Sequence, residues 1–284
     1  MRELWWVDPE LESQLTRVSA FDVARWSQVA ADATWLSSDR QSGVARVESP
    51  VPLLVKWRHT LARRRGKTLG RASKERREAR AYLRLARRGM KTPMPWAVGE
   101  RRQRGRLVGS VLIRPFHEHC VDAREKARDD PSVLERLGQD LRSWHDTGFR
   151  HGDCYPKNVL VPDSGAPPLP LGCPAARFVP RSTKADRRRR KDLAQWAAGV
   201  LEAAPERSPF AFLESYCQAP GLDAARLQKA VRPHFDRILK QKERREVTRE
   251  AREGETPPRP VPLREDATRS RRIALASLEQ AQPH

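Results

Sequence analysis

The spacing of apolar residues changes along the chain between alternate positions, typical of strands, and every third or fourth position, typical of helices. Apolar residues alternate in "VARV" and form a compact run in "PLLVKW", which predicts two or three antiparallel strands joined by a turn at Gly43. Residues 92–116 predict a strand, a polar turn and a second strand, "LVGSVLI". The first half of the chain is therefore expected to be rich in β-structure.

Helical spacing appears between and after these strands. Residues 73–89 carry an apolar stripe, with Ser73 as the N-cap and Gly89 as the C-cap. A second helix is predicted within 130–148, where Gly148 ends it, and two more are predicted at "DLAQWAAGVLEAA" and in 222–246. A short strand, "NVLV", follows the second helix, and another, "ARFV", comes after a Pro/Gly-rich turn.

The two ends of the chain differ from this middle part. Residues 1–33 hold short amphipathic pieces and predict an N-terminal helical extension, while 247–284 are basic, Pro-rich and without a lasting period, which predicts a disordered tail. Between them, 34–115 are predicted to form a β-rich lobe and 116–246 a mainly helical lobe.

Composition narrows the classes of function. The formal net charge is +20, so the chain should attract anionic partners. Its four cysteines form no CxxC pair, which argues against a zinc ribbon and favours free thiols. No apolar run reaches 18 residues and no signal-peptide pattern is present, so we expect a cytoplasmic protein, with peripheral contact at the inner membrane as a further expectation.

The strongest chemical signal is "FRHGDCYPKNVLV". His151, Asp153 and Asn158 match the spacing of the phosphotransferase catalytic loop, H-R-D-x-x-x-x-N. In that loop the carboxylate orients the attacking hydroxyl and accepts its proton, the amide oxygen binds a metal ion, and the histidine braces the backbone. Gly152 stands where protein kinases carry the arginine that senses a phosphorylated activation loop.

The order of the elements gives this motif its context. Strands, a strand with a lysine, a helix with a glutamate, two strands, a helix, the polar loop, strands and helices follow in that order. This is the layout of an α+β, bilobal protein-kinase-like fold, which has a β-rich N-lobe and a mainly helical C-lobe with nucleotide bound between them.

Over residues 34–245 the chain resembles the lipopolysaccharide kinase family, whose members phosphorylate Kdo or heptose sugars of the inner core. The resemblance rests on "LLVKW", "RREARAYLRLARRGMKTPMP", "WHDTGFRHGDCYPKNVLV", "RRRRKDLAQW" and "FAFLESYCQ". It implies a kinase that uses ATP and Mg²⁺ and transfers phosphate to a sugar hydroxyl of an inner-core glycolipid.

The resemblance assigns roles to four further residues. Lys56 would hold the α/β-phosphates and Glu78 would be its helix partner, with Glu75 as a competitor one turn earlier. Ser42 and Gly43 would cover the phosphates, although an ordinary hairpin turn explains them almost as well.

The chain departs from the family at the second metal ligand, an aspartate at the end of the strand after the catalytic loop. Taking that strand as "ARFV" places Pro180 at the ligand position, and proline has no side-chain oxygen. Asp186 could reach inward only if the loop folds back, and Asp192 is predicted to cap the next helix. A catalytically degenerate kinase fold that binds a nucleotide or a partner is therefore the first alternative.

Two dense basic runs, 59–80 and 187–191, suit an anionic glycolipid or sugar substrate and an anionic membrane surface. A basic nucleic-acid-binding protein is the second alternative. We expect no nucleic-acid partner, because the sequence shows no RNP-type aromatics, zinc finger or helix-turn-helix pattern.

Overall fold

The computed structural model describes residues 1–17, 23, 33–38, 42–48, 51–60, 66–179, 186–218, 221–250 and 269–278. These residues belong to two compact units. The first unit takes the described residues of Met1–His117 and Pro257–His284, and the second takes those of Glu118–Thr256. No helix in the described part of the chain is both long enough and apolar enough to cross a membrane.

The strands are β1 (Arg2–Val7), β2 (Ala33–Ser38), β3 (Ser42–Val47), β4 (Leu53–His59), β5 (Ala97–Gln103), β6 (Arg106–Pro115), β7 (Cys120–Asp122), β8 (Phe149–Arg150), β9 (Val159–Pro162), β10 (Leu169–Pro170), β11 (Arg177–Phe178) and β12 (Arg269–Ala274). The helices are α1 (Glu12–Arg17), α2 (Lys74–Ala86), α3 (Ala123–Asp129), α4 (Val133–Asp146), α5 (Asp186–Ala203), α6 (Phe212–Tyr216) and α7 (Ala224–Glu250). Short 3₁₀ turns lie at Pro9–Leu11, Pro156–Asn158 and Leu275–Leu278.

The first unit is built on a seven-stranded sheet with the order β12-β1-β5-β6-β4-β3-β2. Its neighbouring strands pair antiparallel, except for the parallel pair of β1 and β12. Alternate residues of β4 are buried, and they form a core with Trp5 of β1 and Val111 and Ile113 of β6. The alternation that predicted these strands therefore sets which face of each strand meets the core.

The first residues of the chain are a correction to the predicted helical extension. Arg2–Val7 form strand β1, and Trp5 is fully buried against Gly99 of β5. A Cβ at Gly99 would lie 2.7 Å from the Trp5 ring, so only glycine allows this approach. The helical spacing of 21–29 lies outside the described residues apart from Val23, and the described part of the extension contains α1.

The C-terminal segment is a second correction. Part of the predicted disordered tail, Arg269–Ala274, pairs with β1 as an edge strand, and Arg80 of α2 donates from Nε to the Leu278 carbonyl at 2.6 Å. Five of the residues at 267–273 are arginine, serine or threonine, so no apolar alternation marked this strand. Pairing with a buried neighbour, rather than its own side chains, makes it a strand.

The second unit is mainly helical. Leu134 and Leu141 of α4, Trp196 of α5 and Phe212 of α6 are all buried. Trp196 packs edge-on against Phe212 and donates from Nε1 to the Leu134 carbonyl. Two small sheets, β10-β9-β7 and β11-β8, flank the polar loop that joins β8 to β9. The predicted strand "ARFV" thus pairs with β8 before the loop, whereas the neighbours of "NVLV" are β10 and β7.

Candidate active site

Lys56 lies on β4 in the first unit, on the face opposite its buried neighbours Val55 and Trp57. Its Nζ donates to Glu78 Oε2 on α2 at 2.6 Å. The other oxygen, Oε1, accepts a hydrogen bond from the Tyr82 hydroxyl at 2.8 Å, one turn along the helix. The structure therefore brings together the lysine and the glutamate that the sequence paired, and both carboxylate oxygens are engaged.

Burial and charge act in opposite directions on this pair. Burial lowers the pKa of Lys56, but the charges of Glu78 and Glu75 outweigh it and the net pKa is raised. Burial raises the pKa of Glu78, but the Lys56 charge and the hydrogen bonds from Lys56 and Tyr82 outweigh it and the net pKa is lowered. Both residues are thus held in their charged forms.

Glu75, the competitor for Lys56, has partners of its own. Its Oε1 accepts from Arg58 Nε at 3.1 Å and its Oε2 accepts from the Ser110 hydroxyl at 2.6 Å. Arg58 follows Lys56 by two residues on the same face of β4, so successive residues of that face bind successive turns of α2. The register between strand and helix decides that Lys56 binds Glu78 directly.

The start of α2 is held by strand β5. Ser73 is the N-cap, as predicted, and its hydroxyl accepts from the Arg76 amide. The backbone N–H of Ser73 donates to Glu100 Oε1 at 2.7 Å, and Arg102 donates to Glu100 Oε2 at 2.8 Å. Glu100 is fully buried, so this bond fixes the helix N-terminus on the sheet and with it the turn that carries Glu78.

Ser42 and Gly43 are the first residues of β3 and pair with Arg58 and Trp57 of β4. Gly43 is therefore a strand residue, and the predicted turn at Gly43 is wrong, because the connection between β2 and β3 falls at 39–41, outside the described residues. The role of Ser42 and Gly43 in covering phosphates stays a prediction.

The loop of the second unit runs from His151 to Asn158. Its backbone is held by Asp192, whose carboxylate accepts from the His151 amide at 2.7 Å and from the Gly152 amide at 2.8 Å. Gln195, one turn later on α5, accepts from the Cys154 amide at 3.0 Å. The fully enclosed carboxylate of one helix residue thus sets the path of the loop just before Asp153.

Asp153 and Asn158 are joined across this loop. Asn158 Nδ2 donates to the Asp153 carbonyl at 2.8 Å and to Asp153 Oδ2 at 3.0 Å. Asp153 is only partly buried, and its Oδ1 binds no residue in the described part of the chain. One carboxylate oxygen is thus fixed in place, and the other is available to a ligand.

His151 and Gly152 support this geometry from the backbone side. His151 is buried, packs edge-on against Phe149, and its Nδ1 accepts from the Asp153 amide at 3.3 Å. Gly152 has a φ of +80°, and a Cβ there would lie 2.9 Å from the Ala175 carbonyl oxygen. The loop therefore needs glycine at 152, which is a structural reason for the missing arginine.

Asp192 is a functional residue that sequence analysis misplaced. It was expected to cap a helix, but α5 begins six residues earlier, at Asp186, and includes the arginine run. Its pKa is lowered: burial raises it, but the hydrogen bond and charge of His145 and the bond from the Gly152 amide outweigh burial. The run "DRRRRK" contains no Pro or Gly, and this signal would have placed Asp192 inside the helix.

His145, at the end of α4, links Asp192 to α6. Its Nε2 is 3.5 Å from Asp192 Oδ2, and its Nδ1 is 2.7 Å from the Tyr216 hydroxyl. Burial lowers the pKa of His145, and the hydrogen bond and charge of Asp192 only partly offset this. Three helices are therefore tied together behind the loop by one buried network.

The position facing the Asn158 amide oxygen is occupied by Gly172. The Leu171 amide donates to the Asn158 carbonyl at 2.8 Å, and a Cβ at Gly172 would lie 3.2 Å from Asn158 Oδ1. Gly172 is the second residue after β10, the strand that follows β9 in the chain, so the end of that strand lies beside Asn158. Pro180 lies outside the described residues.

This arrangement does not fit the two-ligand Mg²⁺ site that the resemblance implied. Glycine supplies no side-chain oxygen beside Asn158, and no group of three or more His, Cys, Asp or Glu residues that could hold a metal ion occurs in the described ranges. Asp186 is the first residue of α5. The segment 180–185, which would have to fold back to bring Asp186 inward, lies outside the described residues. The need for Mg²⁺ stays a prediction.

Comparisons with known proteins agree with this geometry. The family model "Lipopolysaccharide kinase (Kdo/WaaP) family" matches residues 56–216, a range that begins at Lys56 and includes Asp153 and Asn158. The search of curated proteins returned no match.

Among solved structures, "WaaP in complex with acyl carrier protein" is similar to this chain. The identity is 19%, the match covers 86% of this chain and 99% of that chain, and the TM-score is 0.53. This likeness shows the α+β, protein-kinase-like fold. Because the family model spans more than half of the sequence, the chain belongs to the lipopolysaccharide kinase (Kdo/WaaP) family and is a kinase.

Proposed function

We propose that this kinase transfers the γ-phosphate of ATP to a sugar hydroxyl of a lipopolysaccharide-core glycolipid. Membership of the family supports a kinase acting on the lipopolysaccharide core. The choice of ATP as donor, and of a sugar hydroxyl as acceptor, goes beyond that membership and rests on the residues of the two units.

The geometry of Asp153 is the observation that carries the proposal. Asn158 holds Oδ2, and Asp192 holds the backbone of the loop, so the carboxylate keeps one orientation. In the reaction Oδ1 accepts the proton of the sugar hydroxyl while its oxygen forms a bond to the γ-phosphorus. The bond from that phosphorus to the bridging oxygen breaks, and ADP leaves.

Lys56 is the residue we propose for the α- and β-phosphates of the donor. Its ammonium is held by Glu78, which restricts the flexible side chain and fixes where the positive charge lies. A bound Mg²⁺ would supply charge neutralisation at the phosphates. Asn158 would hold that ion, and Gly172 beside it has no side-chain oxygen to supply a second ligand.

An anionic acceptor fits the exposed charge of the second unit. Arg187, Arg188 and Lys191 of α5 are exposed, and such residues contribute about 1 kcal/mol each near an anionic lipid surface. We therefore propose that the protein works in the cytoplasm, with peripheral contact at the inner membrane, where it meets a glycolipid that is phosphorylated or carboxylated.

Replacing Asp153 tests the proposal. Asp153→Asn keeps the size of the side chain and its contact with Asn158 but cannot accept the proton, so we expect turnover to fall by roughly 10²–10⁴-fold. The measurement is ADP release with a core oligosaccharide as acceptor. Asp163→Asn is the matched control, because Asp163 is an exposed carboxylate of the same unit that pairs with Lys126. Equal turnover in the wild type and Asp153→Asn would refute the role of Asp153.

A degenerate kinase fold that binds nucleotide without turnover is the second candidate, and Gly172 is the observation that favours it. It predicts that ATP raises the melting temperature of the wild type while no ADP forms with any core acceptor. ADP formation that depends on Asp153 excludes this candidate.

A further inference from the structure

A cavity of about 600 Å³ opens in the second unit between α5 and α7. The residues that line it are Arg189 and Arg190 of α5, Arg226, Leu227 and Ala230 of α7, and Gly221, Leu222 and Asp223 before α7. Its size lies within the roughly 300–1,000 Å³ of pockets that hold small molecules. The polar groups lie on both helices, and the leucines and the alanine give it an apolar part.

The charge of the lining is strongly positive. Three guanidinium groups face one carboxylate, and that carboxylate, of Asp223, already accepts a hydrogen bond from the Arg226 amide at the start of α7. Burial lowers the pKa of His234, and the charges of Arg190, Arg237 and Arg187 lower it further, which reports the same positive field one turn beyond Ala230.

Arg189 adds a second, independent observation. Its Nε is shielded from solvent and makes no hydrogen bond to any residue in the described ranges. A shielded N–H without an acceptor destabilises the folded chain, so an acceptor on a ligand would relieve this cost. Guanidinium groups bind phosphate and carboxylate through paired, charge-assisted hydrogen bonds.

The cavity is also connected to the catalytic loop through α5. Arg189 precedes Asp192 by three residues, about one helical turn, and Asp192 binds the His151 and Gly152 amides. Lys191, between them, donates to the Gly152 carbonyl at 3.2 Å. A ligand in the cavity would thus be held by the same helix segment that positions the loop.

We propose that the cavity between α5 and α7 binds the anionic group, a phosphate or a carboxylate, of a sugar. Arg189, Arg190 and Arg226 hold the anion, and Leu222, Leu227 and Ala230 contact the less polar body of the molecule. That this sugar belongs to the acceptor of the kinase rests on the proposed function, whereas binding of the anion does not.

Calorimetric titration of the full chain with glucose 6-phosphate, inorganic phosphate and glucose tests the site. We expect saturable binding of the phosphate ester, weaker binding of inorganic phosphate, and none of neutral glucose. Absence of saturable ester binding overturns the proposal. Inorganic phosphate that binds as tightly as the ester overturns the assignment to a sugar-borne anion.

Arg226→Gln is the decisive variant, because Arg226 is exposed and its loss should not affect folding. Removing one charge-assisted contact should weaken ester binding about tenfold. Arg188→Gln is the matched control, since Arg188 is an exposed arginine of α5 outside the lining. Equal weakening in both variants would show only the attraction of a highly basic chain and would overturn the site.

Turnover separates this inference from the proposed function. Ester binding that depends on Arg226, without any ADP formation, would support the anion site and refute the proposed function. ADP formation that depends on Asp153, with equal ester binding by Arg226→Gln and the wild type, would support the proposed function and refute the anion site.

Discussion

Each unit uses a buried carboxylate on a helix to fix its candidate site residue, but the two carboxylates act on different groups. In the first unit Glu78 binds the side chain of Lys56 through an ion pair of 2.6 Å. In the second unit Asp192 accepts hydrogen bonds from the backbone amides of His151 and Gly152. The first carboxylate orients one charge, and the second sets the path of a segment.

Because of this difference, removing each carboxylate should affect its site in a different way. An unpaired Lys56 ammonium would stay in a largely enclosed position, which carries a large desolvation cost. Two amides that lose an acceptor cost less each, but the loop that they belong to also carries Asp153. Stability is therefore most sensitive at Glu78, and loop geometry at Asp192.

Glu78→Gln is expected to have the largest effect. It removes the carboxylate that binds Lys56 directly, and breaking a buried ion pair costs about 3–5 kcal/mol of unfolding free energy. Because the Lys56 side chain is 21% exposed, we expect the lower end of that range. We also expect a higher KM for ATP, because the ammonium is no longer held in place. Chemical denaturation measures the first effect, and steady-state kinetics the second.

Glu75→Gln is the matched control for that prediction. Glu75 is equally buried on the same helix, but it binds Arg58 and Ser110. Its loss should lower stability and leave the KM for ATP within about twofold of the wild type, since the Lys56–Glu78 bond remains. A KM that rises equally in both variants would contradict the specific role of Glu78.

The pH dependence of stability follows from the lowered pKa of Glu78. As the pH falls, Glu78 takes up a proton in the unfolded chain at the ordinary pKa of a glutamate, before it does so in the folded chain, where its pKa is lower. The contribution of Glu78 is therefore complete above that ordinary pKa and is lost as the pH falls through the folded-state pKa. The difference in unfolding free energy between the wild type and Glu78→Gln should shrink as the pH falls through that region.

The contrast also shows what the sequence could reveal. The Lys56–Glu78 pair was predictable, because a lysine ending an apolar run and a glutamate on the next helix are both visible as residue types at known places. Asp192 was not, because its partners are backbone amides, which every residue has. Its role appears only when α5 is known to begin at Asp186 and to pass behind the loop.

The fold divides in the same way. Strands β3 to β6 and helices α2 and α4 were predicted, since alternation and helical spacing reflect burial of one face. Strand β12 was not, because its pairing with β1 comes from residues more than 260 positions away in the sequence. The place of Gly172 beside Asn158 was not predicted for a related reason. The strand before it, β10, has two residues and is too short to show a pattern.

Asp192→Asn should have the next largest effect. Asparagine keeps one acceptor oxygen, so one charge-assisted bond to the loop is lost, at about 1.5–3 kcal/mol of unfolding free energy. Amide hydrogen exchange should then accelerate in 149–158 while 74–86 of α2 keeps its protection. Exchange that accelerates equally in both segments would indicate general destabilisation and contradict a specific hold on the loop.

Gly172→Asp should have the smallest effect, and it tests whether position 172 of the second unit faces a cation. The change places a carboxylate next to Asn158 Oδ1, and two oxygen ligands should bind a divalent cation about tenfold more tightly than one. Gly172 has a φ of +58°, a conformation that Asp and Asn tolerate better than other side chains, and the Asn158 amide must shift by a few tenths of an ångström to make room. Gly172→Asn therefore reproduces the strain and the crowding without the charge.

Titration with Mn²⁺, followed by electron paramagnetic resonance, should show tighter binding in Gly172→Asp than in the wild type and in Gly172→Asn. Equal Mn²⁺ affinity in all three proteins would show that position 172 does not face a cation, and that the metal half of this site lies elsewhere.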